Sequence, residues 1–149
     1  MLDLIIKNGS CFIDDNLKQQ DIGIEKSKIV KIGKLKEDAR ETYDAKNLLV
    51  LPGCIDTQTH FREPGSTDTE DLHSGSRAAI VGGITAVFEM PNTNPPTSNK
   101  KEFQRKLDLA KNRMYCNYAF YFGATADNAD DLASLEGLEG CCGIKLFAG

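Results

Sequence analysis

The sequence predicts an α/β fold: the front half of a (β/α)8 TIM-like barrel preceded by part of a small β domain. Three observations carry this. The first fifty residues are β-branched, partly alternating and interrupted by Gly, Asn and Asp, as short strands are. From Leu48 the pattern changes to nearly continuous apolar runs, the mark of strands buried on both faces of a parallel sheet. These runs alternate with amphipathic segments in the order β-α-β-α-β-α-β, which implies parallel strands joined by right-handed crossovers.

Each element has its own signal. LIIKNGSCFI, DIGIEKSKIVKIG and the approach to NLLVLPG make up an antiparallel β unit, in which Asp21, Gly23 and Glu25 alternate with Ile22 and Ile24 to leave one face solvated. LLVLPGCID is the first barrel strand. Residues 68–81 read as a helix with Leu72, Ser76, Ala79, Ile80 and Gly83 on one side. Thr67 or Asp68 would cap it, and Glu70 and Asp71 suit the positive end of its dipole. Gly82 and Gly83 stop that helix, and ITAVFEM follows as the second buried strand.

Residues 98–113 form a clearer helix, with Ser98 as cap, an apolar stripe of Phe103, Leu107, Ala110 and Met114, and basic residues around its polar face. CNYAFYFGA, a short helix over 130–136 and CCGIKLFAG complete the series. The domains run 1–50 and 51–149. A (β/α)8 barrel needs roughly 250 residues, so the sequence reads as the front portion of a longer protein. Alone, the half-barrel is expected to be inactive, with an exposed strand edge prone to association.

Composition narrows the function classes. At 149 residues, 40% apolar and 27% charged, the chain can bury a core and is not a disordered one. A net charge of −4 without any lysine-rich run argues against nucleic acid or an anionic membrane as partner. No stretch approaches the roughly 18 apolar residues of a membrane span, and the N-terminal apolar run is too short for a signal peptide. The five cysteines, Cys11, Cys54, Cys116, Cys141 and Cys142, are odd in number and lack C-x-x-C spacing. Cys54, Cys116 and the vicinal pair sit in apolar stretches, where a free cysteine acts as a small hydrophobe. A reduced, cytoplasmic protein is expected.

In parallel α/β folds the working residues lie at the carboxyl ends of strands. The period of two puts Asp56, Gln58 and His60 on one face of the first barrel strand. A strand ending in H-x-H would hold one metal ion with two imidazoles; here only His60 supplies one, so it is either a ligand or a lone hydrogen-bonded histidine. Arg62 offers a planar fork for a carboxylate, or a surface ion pair with Glu63. Asn92, in MPNTNPP with its three prolines, either binds substrate or forms a turn. Lys145, within an apolar run, either reaches water or serves a purpose inside a barrel. His73 is read as solvated or capping.

Taken together, PGCIDTQTHFREPG, GSRAAIVGGITAVFEMPNTNPP and GIKLFAG resemble the amidohydrolase superfamily, specifically dihydroorotases of the cyclic amidohydrolase type. The resemblance runs from about Leu48 to Gly149, and the first fifty residues look like the family's small β-sandwich domain in part. It implies the interconversion of N-carbamoyl-L-aspartate and L-dihydroorotate in de novo pyrimidine synthesis. It also implies zinc, one ion or two, held by His60 and by Lys145 as a carboxylated lysine, with Arg62 and Asn92 on the substrate carboxylate. Arg62 favours dihydroorotase over allantoinase-like relatives. The catalytic aspartate and the later metal histidines would lie on strands beyond Gly149.

Gln58 departs from the family pattern, standing where the first metal histidine is expected, and a neutral amide is a poorer zinc ligand than imidazole. Two further readings follow. One is a catalytically silent structural partner of aspartate transcarbamoylase; the other is a hydrolase of another cyclic amide or ureide. A small-molecule substrate and a homodimer complete the expectation.

Overall fold

The computed structural model describes residues 1–148, which form two compact units dividing between Pro52 and Gly53. In the first, β1 (Leu2–Ile13), β2 (Asn16–Glu25), β3 (Lys28–Gly33), β4 (Ala39–Asp44) and β5 (Leu49–Val50) build one sheet in the order β3-β2-β1-β4, with β5 also on β1. Two tight hairpins join β1 to β2 and β2 to β3. Their central residues, Asp14–Asp15 and Lys26–Ser27, all have positive φ, the backbone that matches the twist of paired strands. Leu2, Ile5, Cys11, Ile22 and Ala45 are buried.

The expected all-antiparallel unit is corrected here: β4 and β5 run parallel to β1. A two-residue turn after Gly33 would have forced another antiparallel pairing. Instead residues 34–38 carry the chain past β2 to the far edge of β1.

The second unit alternates β6 (Cys54–Thr59), α1 (Leu72–Val81), β7 (Ile84–Glu89), α2 (Lys100–Ala110), β8 (Asn117–Gly123), a 3-10 turn over Ala126–Asp131 continuing into α3 (Leu132–Glu136), and β9 (Cys141–Lys145). The strands form a parallel sheet in the order β6-β7-β8-β9, curled as the first half of a barrel. Val87, Phe120 and Phe122 alternate along their strands and are buried with Phe103, Leu72, Ala110 and Leu135 from the helices. The Phe103 and Phe122 rings stack at 4.5 Å. Phe88 and Tyr121 meet edge-to-face at 6.5 Å, and the Tyr121 hydroxyl donates to Thr57 O at 3.3 Å.

Several boundaries differ from expectation for local reasons. The cap of α1 is Asp71, not Thr67 or Asp68. Asp71 Oδ1 accepts from Ser74 N at 2.6 Å while Ser74 Oγ accepts from Asp71 N at 3.2 Å, a reciprocal capping box that outcompetes the earlier residues. Asn99 rather than Ser98 caps α2, with Oδ1 accepting from Glu102 N at 2.9 Å. The apolar run LLVLPGCID is not one buried strand. Leu49–Val50 belongs to β1's sheet, Pro52 and Gly53 break the run, and β6 is a sheet edge among the described residues, so Ile55 is 59% exposed.

Candidate functional site

Two loops leave neighbouring strand ends and interlock. The first continues β6 through His60, Phe61, Arg62 and Glu63; the second continues β7 through Met90, Pro91 and Asn92. Met90 N donates to Thr59 O at 2.9 Å and Asn94 N donates to Pro64 O at 2.9 Å. Gly65, at φ +123°, lies so close to Asn94 that a Cβ would come within 2.8 Å of the Asn94 Cβ, so only glycine meets both the backbone and the space.

His60 is half-buried, with Nδ1 2.9 Å from Asn92 Oδ1. An amide oxygen only accepts, so the proton sits on Nδ1 and the Nε2 lone pair is left free. The structure therefore brings together two of the residues singled out in the sequence, one from each loop.

Arg62 follows at φ +61°, in the left-handed region, where a non-glycine residue is strained by on the order of 1 kcal/mol. That reversal buries Phe61 and Glu63 on either side and leaves Arg62 exposed. The alternative ion pair with Glu63 is excluded by geometry. Glu63 is buried, takes Arg113 Nη1 and Nη2 at 2.8 and 3.1 Å, and accepts Leu72 N at 2.9 Å. This ion pair holds Arg113 above its ordinary value. Among the described residues Arg62 forms no salt bridge.

The other sequence candidates are placed less closely. Asp56 turns back on its own strand, Oδ1 accepting from Gln58 N at 2.9 Å, and Gln58 is exposed. Lys145 ends β9 beside Gly123 of β8, half-buried, with Nζ 5.3 Å from the Phe147 ring. His73 is exposed and its Nε2 lies 3.2 Å from the Tyr115 hydroxyl.

One buried pair escaped the sequence reading. Lys106, expected on the polar face of α2, is 0% exposed and ion-paired with Glu89, which is 1% exposed. Lys106 Nζ also donates to Met90 O at 3.0 Å. Burial raises Glu89 to about 7, opposed by Lys106, and lowers Lys106, opposed by Glu89. The signal was present: Lys106 stands three residues after Phe103 and four before Ala110, on the buried stripe.

Residues 49–140 match the model of the amidohydrolase family. The chain belongs to that family. An allantoinase of Salmonella choleraesuis is 39% identical over 97% of the chain and 32% of its own length, and an allantoinase of Escherichia coli K12 is equally so. Among solved structures, the L-hydantoinase (dihydropyrimidinase) of Arthrobacter aurescens superposes with a TM-score of 0.83 at 29% identity. That superposition covers 91% of this chain and 31% of that one. A D-hydantoinase gives 0.77 at 32% identity, over 91% and 30%. The chain thus spans about a third of the length of the curated relatives it matches. These amidohydrolase relatives widen the expectation from dihydroorotase to cyclic amidohydrolases at large.

As an amidohydrolase metal site, the described residues are only partly furnished. No group of three or more His, Cys, Asp or Glu among them could hold an ion. Of the two ligands expected from the sequence, His60 has Nδ1 2.9 Å from Asn92 Oδ1 and Lys145 is half-buried with Nζ 5.3 Å from the Phe147 ring. No described helix is long and apolar enough to cross a membrane.

Proposed function

We propose that the protein, at the length of its relatives, hydrolyses the ring amide of a small cyclic amide or ureide. The observation that supports this most is the pairing of His60 with Asn92 beside an exposed Arg62 that forms no salt bridge among the described residues, at the carboxyl ends of parallel strands. The reaction adds the oxygen of water to the ring carbonyl carbon, breaks the carbon–nitrogen bond and returns a proton to nitrogen. Asn92, through the oxygen it offers His60, fixes the imidazole tautomer and keeps its own amide NH2 for substrate. The Arg62 guanidinium offers a bidentate fork to a substrate carboxylate where the ring carries one.

Zinc, one ion or two, would be held by His60 Nε2 and a carboxylated Lys145, with further donors from outside the described residues. When bound it supplies Lewis-acid polarisation of the carbonyl and a lowered pKa for water. Gln58 favours a single-ion site.

Allantoinase and hydantoinase relatives support a ureide or hydantoin-type ring. A second reading, interconversion of N-carbamoyl-L-aspartate and L-dihydroorotate, is favoured by Arg62, because that substrate carries a carboxylate. A silent partner of aspartate transcarbamoylase has Gln58 as its main support. The test is turnover by the zinc-supplemented full-length protein on allantoin, hydantoin and L-dihydroorotate in parallel. Preference for dihydroorotate that collapses in Arg62→Met selects the second reading; preference for a ring without a carboxylate selects the first.

A further inference from the structure

The buried Glu89–Lys106 pair stands apart from the residues given roles so far. Both side chains are buried, with Lys106 Nζ 5.1 Å from the ring of Phe120 in the apolar cluster, where a pair of charges brings little stability relative to well-packed hydrophobes. Its contacts show what it does instead. Lys106 Nζ donates to Met90 O at 3.0 Å, the carbonyl two residues before Asn92. On the other side, Met90 N donates to Thr59 O at 2.9 Å, tying the strand end that carries Glu89 to the start of the His60 loop. Glu89 is also the register partner of Thr59, just before His60. One ion pair therefore reaches both loops, and α2 supplies its cation from outside the sheet.

We propose that Glu89 and Lys106 are positioning residues that set the spacing of His60 and Arg62 against Asn92. This rests on the proposed hydrolytic reading for its kinetic consequence but not for its structural one. The pair acts on backbone rather than on substrate. Lys106 fixes the carbonyl of Met90, and thereby the direction in which the Pro91–Asn92 turn leaves β7. Glu89 anchors that lysine at the position registered with Thr59, and thereby the point at which the loop through His60 and Arg62 leaves β6.

The experiment compares two variants of the full-length protein, Lys106→Met and the double variant Glu89→Leu/Lys106→Met. Removing one partner strands a buried charge and destabilises, whereas replacing both by apolar groups of similar size largely restores stability. Stability, hydrogen exchange of peptides 60–66 and 90–97, and KM and kcat are measured on each.

The account expects the double variant to regain the denaturation midpoint of wild type while both loop peptides still exchange at least about 10-fold faster. KM for the preferred ring should rise about 10- to 100-fold, the range for lost supporting contacts. If exchange in the loops returns to wild type along with stability, the pair is merely structural and the proposal falls. If the loops loosen but wild type opens none of the rings, positioning stands and the hydrolytic reading fails instead.

Discussion

Gly75, in the first turns of α1, sits under the ring of Phe61, and a Cβ built there would lie 2.3 Å from Phe61 Cδ1 and 2.7 Å from Cε1. Ordinary carbon contacts begin near about 3.5 Å, so in Gly75→Ala the ring must retreat by about 1 Å. Phe61 belongs to the buried cluster that includes Leu72, Val87 and Phe103, which leaves it little room. Two effects compete. Alanine is worth about 1 kcal/mol over glycine inside a helix, while overpacking a filled core costs about 1–3 kcal/mol. The displacement decides the sign: a net loss of up to about 2 kcal/mol is expected, read by urea denaturation. Because Phe61 lies between His60 and Arg62, the same 1 Å shift should lower kcat/KM by about 100-fold. A variant more stable than wild type by about 1 kcal/mol, with unchanged kinetics, would refute the reasoning.

Other outcomes follow from the same geometry. Arg113→Met removes two of the three hydrogen bonds to the buried Glu63 carboxylate. Since Arg113 is itself 35% exposed, the loss should be about 2 kcal/mol by denaturation, with faster exchange in peptide 60–66. The folded-state value of Glu89, about 7, lies above its ordinary 4.5, so the folded state binds that proton more tightly than the unfolded one. The stability it confers is complete below about 4.5 and is lost as pH rises through about 7, by up to about 3 kcal/mol. That slope should appear in wild type and vanish in Glu89→Leu/Lys106→Met; a pH-independent difference between the two would count against it. Asp3, Asp44 and Asp71, held below their ordinary 3.8 by hydrogen bonds, act with opposite sign and only as pH falls below that value. Gln58→His should raise bound zinc by up to one ion per chain by elemental analysis, and no gain would remove Gln58 from the metal account.

Much of the fold was legible because the relevant forces are local. Apolar runs in ITAVFE and NYAFYFG mark strands, and the 3.6-residue stripe through Phe103 and Ala110 marks a helix, before any tertiary contact is known. What sequence could not show depended on three-dimensional competition. Asp71 won the cap of α1 because Ser74 reciprocates. The connection after Gly33 turned β4 parallel to β1 because it lacks a two-residue turn. For the site, periodicity placed His60 at a strand end, but its hydrogen bond to Asn92 joins residues 32 apart in sequence. The freedom of Arg62 was likewise invisible, since it depends on Arg113, 50 residues beyond Glu63, having claimed that carboxylate. Lys106 was misjudged because charge suggested solvent, whereas its helical position pointed inward to Glu89.

The most direct test of hydrolysis is ring opening by the zinc-replete full-length protein in isotopically labelled water, read by mass spectrometry of the product. The account predicts a ring-opened acid carrying one labelled oxygen in its new carboxylate, formed at a rate that falls in His60→Ala. Ring-opened product without label, or no product from allantoin, hydantoin or dihydroorotate, would contradict it.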